Sequence, residues 1–325
     1  MRNIVPRFSV LAAAVLATFS GHALAARVDY TLDAGVEHNS NVTMAPADPI
    51  EQRYLRAGVG FSVRENVSVL QLNLDGRAEY RDYEDDIFAD TVDGTLSGRL
   101  NWVAIPGRLF FVAEDNLTVQ PVDSLVPDGP GNRQQVNVFS AGPTLLFNWT
   151  SSLHGQAELR YALSDAEVTD EFNSQRLAAA VRTIKELSPT SRVSLNVQAQ
   201  RVDFDDDVVA RDYNRYDAYG RYVRELAQFE LGADVGYSRI DYRRGQSRSR
   251  SDPLLRADAK WNPSPRSQLT LAASSQFSDT ATDALAGIES ESTIPQNVLT
   301  GDAVVNASPY EIRSLDLGYR FTSTR

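Results

Sequence analysis

From Leu70 to Asp86 the chain reads LQLNLDGRAEYRDYEDD, and up to Tyr80 every even position is apolar or small. The odd positions between them hold Gln71, Asn73, Asp75, Arg77 and Glu79. A two-residue period puts successive side chains on opposite faces of a β-strand, so this strand has one greasy face and one charged face. Either face could look inward. A soluble sandwich turns such leucines towards its core; a membrane barrel turns them towards lipid.

The pattern recurs from end to end. Period-two segments lie at about 27–37, 52–64, 68–82, 88–102, 107–119, 134–148, 153–164, 173–187, 191–204, 212–224, 228–242, 253–262, 266–279 and 310–321. Gln175–Leu187 is the one stretch that also suits a helix, and its alternation of Leu177, Ala179 and Val181 against Arg176 and Arg182 favours a strand. The connections alternate in length. Short ones fall at Glu65-Asn66, Ala104–Pro106, Thr150–Ser152, Ser188–Thr190, near Ala227 and at Pro263–Pro265. Longer ones fall at His38–Glu51, Tyr83–Ile87, Gln120–Arg133, Asp165–Phe172, Asp205–Arg211, Arg243–Asp252 and Thr280–Pro309. Short turns at one end and longer loops at the other are the mark of an outer-membrane barrel, whereas a sandwich has no reason to sort its loops by parity.

Composition narrows the choice. After the first few dozen residues no apolar run of about 18 or more residues occurs, so no spanning helix is expected. The start differs: Arg2 and Arg7, the apolar run Phe8–Phe19 and then Ala23-Leu24-Ala25 form a secretory signal peptide, residues 1–25, leaving 26–325 as the barrel. Export through a cleaved signal, together with the barrel pattern, leads to the expectation of the outer membrane of a Gram-negative bacterium. Removing Arg2 and Arg7 takes the 32 basic residues to 30 against 43 acidic ones, a net charge of −13, which argues against nucleic acid as a partner. The chain has no cysteine, so its stability does not rest on disulfides.

The expected fold is all-β, a transmembrane antiparallel up-and-down β-barrel of about 14 strands. The apolar face carries Leu55, Val59, Leu96, Leu100, Leu159, Leu315 and Leu317, many with small neighbours, which suits mobile acyl chains better than a packed core. An arginine on the lipid face costs roughly 2–4 kcal/mol near the midplane, so the charged face must line a wet or mutually paired lumen. Pore-lining residues on this reading are Arg77, Glu79, Arg99, Arg160, Arg182, Arg215, Asp217, Arg221 and Arg256. Rings of charge of this kind select among solutes; ion-pair ladders that brace a closed lumen are the other reading. All three tryptophans, Trp102, Trp149 and Trp261, fall where strands meet short turns and make one aromatic girdle. Tyr80, Phe88, Tyr161, Phe172, Phe204, Tyr213, Tyr237 and Tyr310 fall near the long loops and suggest an outer ring.

The opening strand ends in Gly35-Val36-Glu37-His38-Asn39-Ser40-Asn41-Val42, and amphipathic hairpins with Asp-, Tyr- and Arg-rich mouths follow it. With the signal peptide, this resembles an outer-membrane β-barrel, porin-like family whose members are associated with exopolysaccharide biosynthesis and export loci. The resemblance implies an outer-membrane pore or accessory component in exopolysaccharide export, with a polysaccharide export or synthesis complex as partner. A general diffusion porin, or a plugged barrel working through its outer loops, is the alternative. Barrels of this kind end in an aromatic residue, whereas here Tyr319-Arg320-Phe321 precedes Thr322–Arg325. Sixteen strands are the rival count if the chain is truncated.

An enzyme is not expected. His38 and His154 are the histidines left after signal removal and sit at opposite strand ends, which excludes a shared histidine metal site and leaves a Ser-His-Asp hydrolase unsupported. No G-x-S-x-G, phosphate loop or H-E-x-x-H occurs, so no catalytic residue, metal or cofactor is assigned. The acidic mouths Asp82–Asp86 and Asp203–Asp207 lack ordered cation-ligand spacing and read as solvated rims beside lipid and lipopolysaccharide. Arg243–Arg250, the one basic run, suits lipopolysaccharide phosphates or an acidic glycan.

Overall fold

A computed structural model of the chain describes residues 26–322 apart from 45–47, 86, 124–125, 128, 207–211, 244–248 and 279–308. The signal-peptide residues 1–25 and nearly all of Thr280–Pro309 therefore lie outside the described residues. Among the described residues fourteen strands follow one another: β1 (Arg27–Asn39), β2 (Gln52–Asn66), β3 (Leu70–Tyr83), β4 (Thr91–Ile105), β5 (Leu109–Gln120), β6 (Gln134–Thr150) and β7 (Leu153–Ala166), then β8 (Ser174–Ser188), β9 (Ser191–Phe204), β10 (Tyr213–Leu226), β11 (Phe229–Tyr242), β12 (Arg250–Ser264), β13 (Ser267–Ser278) and β14 (Tyr310–Phe321). One 3-10 turn, Asp170–Phe172, is the single helical element among the described residues. Every segment expected from the two-residue period is a strand, including Ser174–Ser188 where a helix was the rival.

The strands form one antiparallel sheet in sequence order, so each pairs with its chain neighbours, as an up-and-down topology requires. Short connections all fall at one end. Pro106-Gly107 closes the β4–β5 turn with Arg108 N–H donating to the Ile105 carbonyl at 3.0 Å, and Gly107 takes φ of +67°, the Pro-Gly signature of a type II turn. Between β2 and β3 the turn sits later than Glu65-Asn66. Val67 and Leu70 exchange both backbone hydrogen bonds at 3.0 and 3.1 Å, which leaves Ser68-Val69 as the loop. That pair has no glycine, proline or asparagine to announce it.

Residues paired across neighbouring strands share a face, so the register sorts the whole sheet. Arg77 lies opposite Gly60 and Thr95, Glu114 opposite Arg99 and Ser140, and Asp234 opposite Arg221 and Arg256. Across β6–β11 this polar face is the buried one, and the apolar face is bare. Arg160 is 7% exposed and Asp234 1%, while Leu195 is 62% and Val235 66%. A soluble fold would have the opposite arrangement. Phe277 on β13 packs with Val202, Phe204, Tyr213 and Ile240 of β9–β11. Four strand steps of about 4.8 Å separate β9 from β13, so the sheet must curl towards its polar side for these rings to meet.

Several features depart from the sequence expectation. Leu72 and Leu74 lie on the apolar face yet are buried with Val63 and Leu96, with Phe61 and Leu100 packed against them. Gly76 opens the space: a Cβ there would meet the Phe61 ring and lie 3.0 Å from Leu96 Cδ1. Of the expected outer ring, Tyr80, Tyr161 and Tyr237 are exposed, whereas Phe172, Phe204 and Tyr213 are buried on the polar side. Tyr213 shares its face with Arg215 and Asp217, so strand alternation sends it inward. Phe172 enters on the 3-10 turn and packs against Val136, Val138 and Ala166. Finally, β1 and β14 stand as the two edges of the sheet, and no hydrogen-bonded pairing joins them among the described residues.

Candidate functional site

All nine charged residues assigned to the lumen lie on the one polar face, and each meets a partner there. Arg77 reaches from β3 over β2 to Asp33 on β1, donating from Nη1 and Nη2 to the two carboxylate oxygens at 2.8 and 2.9 Å. Its Nη2 also donates to Glu79 at 2.9 Å. The bridge can cross β2 because Gly58 lies beneath it: a Cβ at that position would stand 2.6 Å from Arg77 Nη2 and 2.9 Å from Asp33. Glu79 is held a second time by Arg81, whose own second partner is Asp93 at 3.2 Å. Arg133, in the segment before β6, closes on Asp93 from the other side at 3.1 Å.

Further round the sheet the same motif repeats. Arg99 stands 3.9 Å from Glu114. Arg160 pairs with Glu158 at 3.6 Å and donates to the Pro143 carbonyl and the Thr144 hydroxyl. Arg182 donates to Asn196 Oδ1 at 2.7 Å, and Arg215 to Asp217 at 3.1 Å, with the Ser238 hydroxyl also donating to Asp217. Asp234 takes Arg221 at 3.1 Å on one oxygen and Arg256 at 2.7 Å on the other. Arg256 lies 4.8 Å above the Tyr219 ring, a cation–π contact, and Arg221 extends on to Asp258 at 3.3 Å.

Apart from Arg182, whose partner is an amide, these charges are arranged as neutralising pairs and triads, with Asp33, Glu79, Glu114, Glu158, Asp217 and Asp234 as the acids that hold the arginines. Asp33 and Glu114 were not singled out by the sequence. Alternation would have placed both on the polar face, but which arginine each meets depends on register and on the gap at Gly58. At the long-loop end the polar side changes character. Val136, Val138, Ala166 and Phe172 form one apolar cluster, and Val202, Phe204, Tyr213, Ile240 and Phe277 another.

The tryptophans lie on the bare apolar face near the short turns, each about half exposed and each beside a phenylalanine. Trp102 stacks on Phe111 at 5.2 Å, Trp149 meets Phe147 edge-on at 4.7 Å, and Trp261 is paired in register with Phe229. His38 and His154 lie at opposite ends of their strands, near Glu51 at 3.7 Å and Glu186 at 3.4 Å. Among the described residues no group of histidine and acidic side chains has the geometry to hold a metal ion. Within the acidic mouths Asp203 is engaged by both Arg201 and Arg243.

Comparison with curated proteins gives no match. Residues 139–295 match the family model described as Putative beta-barrel porin 2, a segment that runs from within β6 to beyond β13. The strands that carry Arg160, Arg182, Arg215, Asp217, Arg221 and Arg256 are those that this β-barrel porin family describes.

Proposed function

We propose that the chain is a non-enzymatic, porin-like protein of the outer membrane, reached through cleavage of residues 1–25, with its polar face towards a lumen and its apolar face towards lipid. One observation carries the reading: across β6–β11 the charged face is buried and internally paired while leucines and valines of the other face are bare. Only a solvent that is itself apolar makes that arrangement stable. On this reading the nine paired charges line the lumen, Trp102, Trp149 and Trp261 sit at the headgroup level, and lipid and lipopolysaccharide are the immediate neighbours. Outer-membrane fractionation, heat-shifted migration on a denaturing gel and conductance of the purified protein in planar bilayers test it. Recovery as a soluble protein with no channel steps would sink it.

Exopolysaccharide export rests on the sequence resemblance, and an export or synthesis complex would be the partner. Loss of secreted polysaccharide in a deletion strain, restored by the wild-type chain, is the expected result. A second reading is a plugged barrel that works through its outer loops, and the two apolar clusters on the polar side at the long-loop end favour it. A folded, membrane-inserted protein without conductance would select that reading, and large steady steps would select a general diffusion porin.

A further inference from the structure

A recess of about 520 Å³ runs across β1–β5 on the polar face. Its shape follows from register. One row of the sheet, Tyr30–Phe61–Gly76–Leu96–Leu117, turns its side chains to the other face and leaves backbone as the floor. The rows on either side supply the walls. Those walls are low where the residues are short, at Thr31, Gly60, Thr95 and Thr118 on one side and Ser62 and Ser97 on the other, and Arg77, Asp29, Asp75 and Asn116 are the longer side chains among them. Gly60 keeps the recess open, since a Cβ there would come 2.6 Å from Thr31 Oγ1. Four strand steps give a length of roughly 19 Å, and the volume falls within the range of roughly 300–1,000 Å³ typical of small-molecule sites.

The chemistry of the recess is neutral despite three charged residues along it. Asp29 is held by Arg27 at 2.7 Å, Asp75 by Arg64 at 2.6 Å and Arg77 by Asp33 at 2.8 Å. Each charge already has its counter-ion beside it. The hydroxyls of Thr31, Thr95 and Ser97 are on exposed residues, and that of Ser62 is half-buried. A hydroxyl both donates and accepts, so such a row exchanges hydrogen bonds with another hydroxyl-bearing chain without demanding charge.

From this geometry we infer a binding subsite for an extended, uncharged, polyhydroxylated solute, a linear neutral oligosaccharide being the matching class. The inference rests on the polar face lining a lumen. An anionic or cationic solute would have to share a group that already has its counter-ion, and a flat apolar one would find no apolar side chain on the walls.

Calorimetric titration of the full-length protein in lipid nanodiscs tests this, with maltoheptaose as the neutral probe and oligogalacturonate as the acidic one. Maltoheptaose is expected to bind with a dissociation constant on the order of 1 mM or tighter, as suits a few exposed hydrogen bonds. Thr95→Val with Ser97→Ala removes two hydroxyls with little change of shape and is expected to weaken binding about tenfold. Ser97→Thr is expected to retain it, and Lys260→Gln on β12 serves as the distant control. Heat-shifted migration reports whether each variant is folded. The single changes Thr95→Val and Ser97→Ala, each expected to weaken binding about threefold, replace the double variant should it fail to fold. No maltoheptaose binding to the folded wild type, unchanged binding in the hydroxyl variants, or tighter binding of oligogalacturonate would each overturn the subsite. Conductance measured on the same preparation separates this from the pore: channel steps without binding remove the subsite alone, and binding without channel steps removes the pore alone.

Discussion

Arg160 on β7 donates from Nη1 to the carbonyl oxygen of Pro143 on β6 at 2.9 Å, and from Nη2 to the Thr144 hydroxyl at 2.8 Å. Proline has no N–H and is unusual inside a sheet because it breaks the ladder. The β6–β7 pairing indeed skips Gly142 and Pro143, and Gly142 lies in register opposite Arg160. The arginine is thus a side-chain replacement for missing backbone bonding as well as the ion partner of Glu158. Arg160→Leu is expected to cost about 2–4 kcal/mol, because a buried ion pair and its hydrogen bonds lose one partner. Urea titration of the folded, heat-shiftable band measures this, and an unchanged midpoint would remove the bracing role.

Asp234 neutralises two arginines at once, Arg221 and Arg256. Asp234→Asn leaves both cations side by side on the polar face without their shared acid, with Asp258 still beside Arg221. Under the pore reading, the reversal potential in a potassium chloride gradient should move towards the value for chloride. Stability should fall by about 1–3 kcal/mol through like-charge repulsion and the lost charge-assisted bonds. A reversal potential equal to the wild type in a folded, conducting variant would show that the conduction path does not pass this triad.

The tryptophan ring has a depth that can be measured. Trp102, Trp149 and Trp261 are about half exposed on the apolar face, all near the short turns. Lipids brominated high on the acyl chain should quench their fluorescence more than lipids brominated near the chain terminus, since indoles settle at the headgroup boundary. Equal or deeper quenching would place the turns elsewhere relative to the bilayer.

On the outer-membrane reading, edges β1 and β14 must be satisfied in hydrocarbon, where each unpaired backbone group costs several kcal/mol. The chain has no cysteine, so an engineered pair gives an unambiguous cross-link. Thr31→Cys combined with Ser314→Cys, Asp316→Cys or Gly318→Cys in turn puts both thiols on the polar face. One of the three pairs is expected to oxidise efficiently in membranes and none in urea. Failure of all three with the protein inserted would mean that the β1 and β14 edges meet something other than each other.

Gly58 illustrates what could not be read in advance. Its place on the polar side of Gln52–Asn66 follows from alternation, but its purpose does not: the Asp33–Arg77 bridge passes over it. Asp33 and Arg77 are far apart in sequence and belong to strands that do not touch, so no local pattern links them. Tyr213 is the opposite case. Its two-residue spacing from Arg215 already states which way it points, and grouping it by height alone with an outer ring obscured that.

The sequence by itself determined where the described strands lie, the side on which the short turns fall and which residues share a face. Each of these is a consequence of local backbone geometry, two residues per repeat and a turn at every reversal. Only the tertiary structure decided that Asp234 holds two arginines, that Phe172 and Phe204 close inward and that a hydroxyl-lined recess crosses β1–β5. Those features depend on register between strands and on the curl of the sheet, which bring together side chains that the order of residues keeps apart.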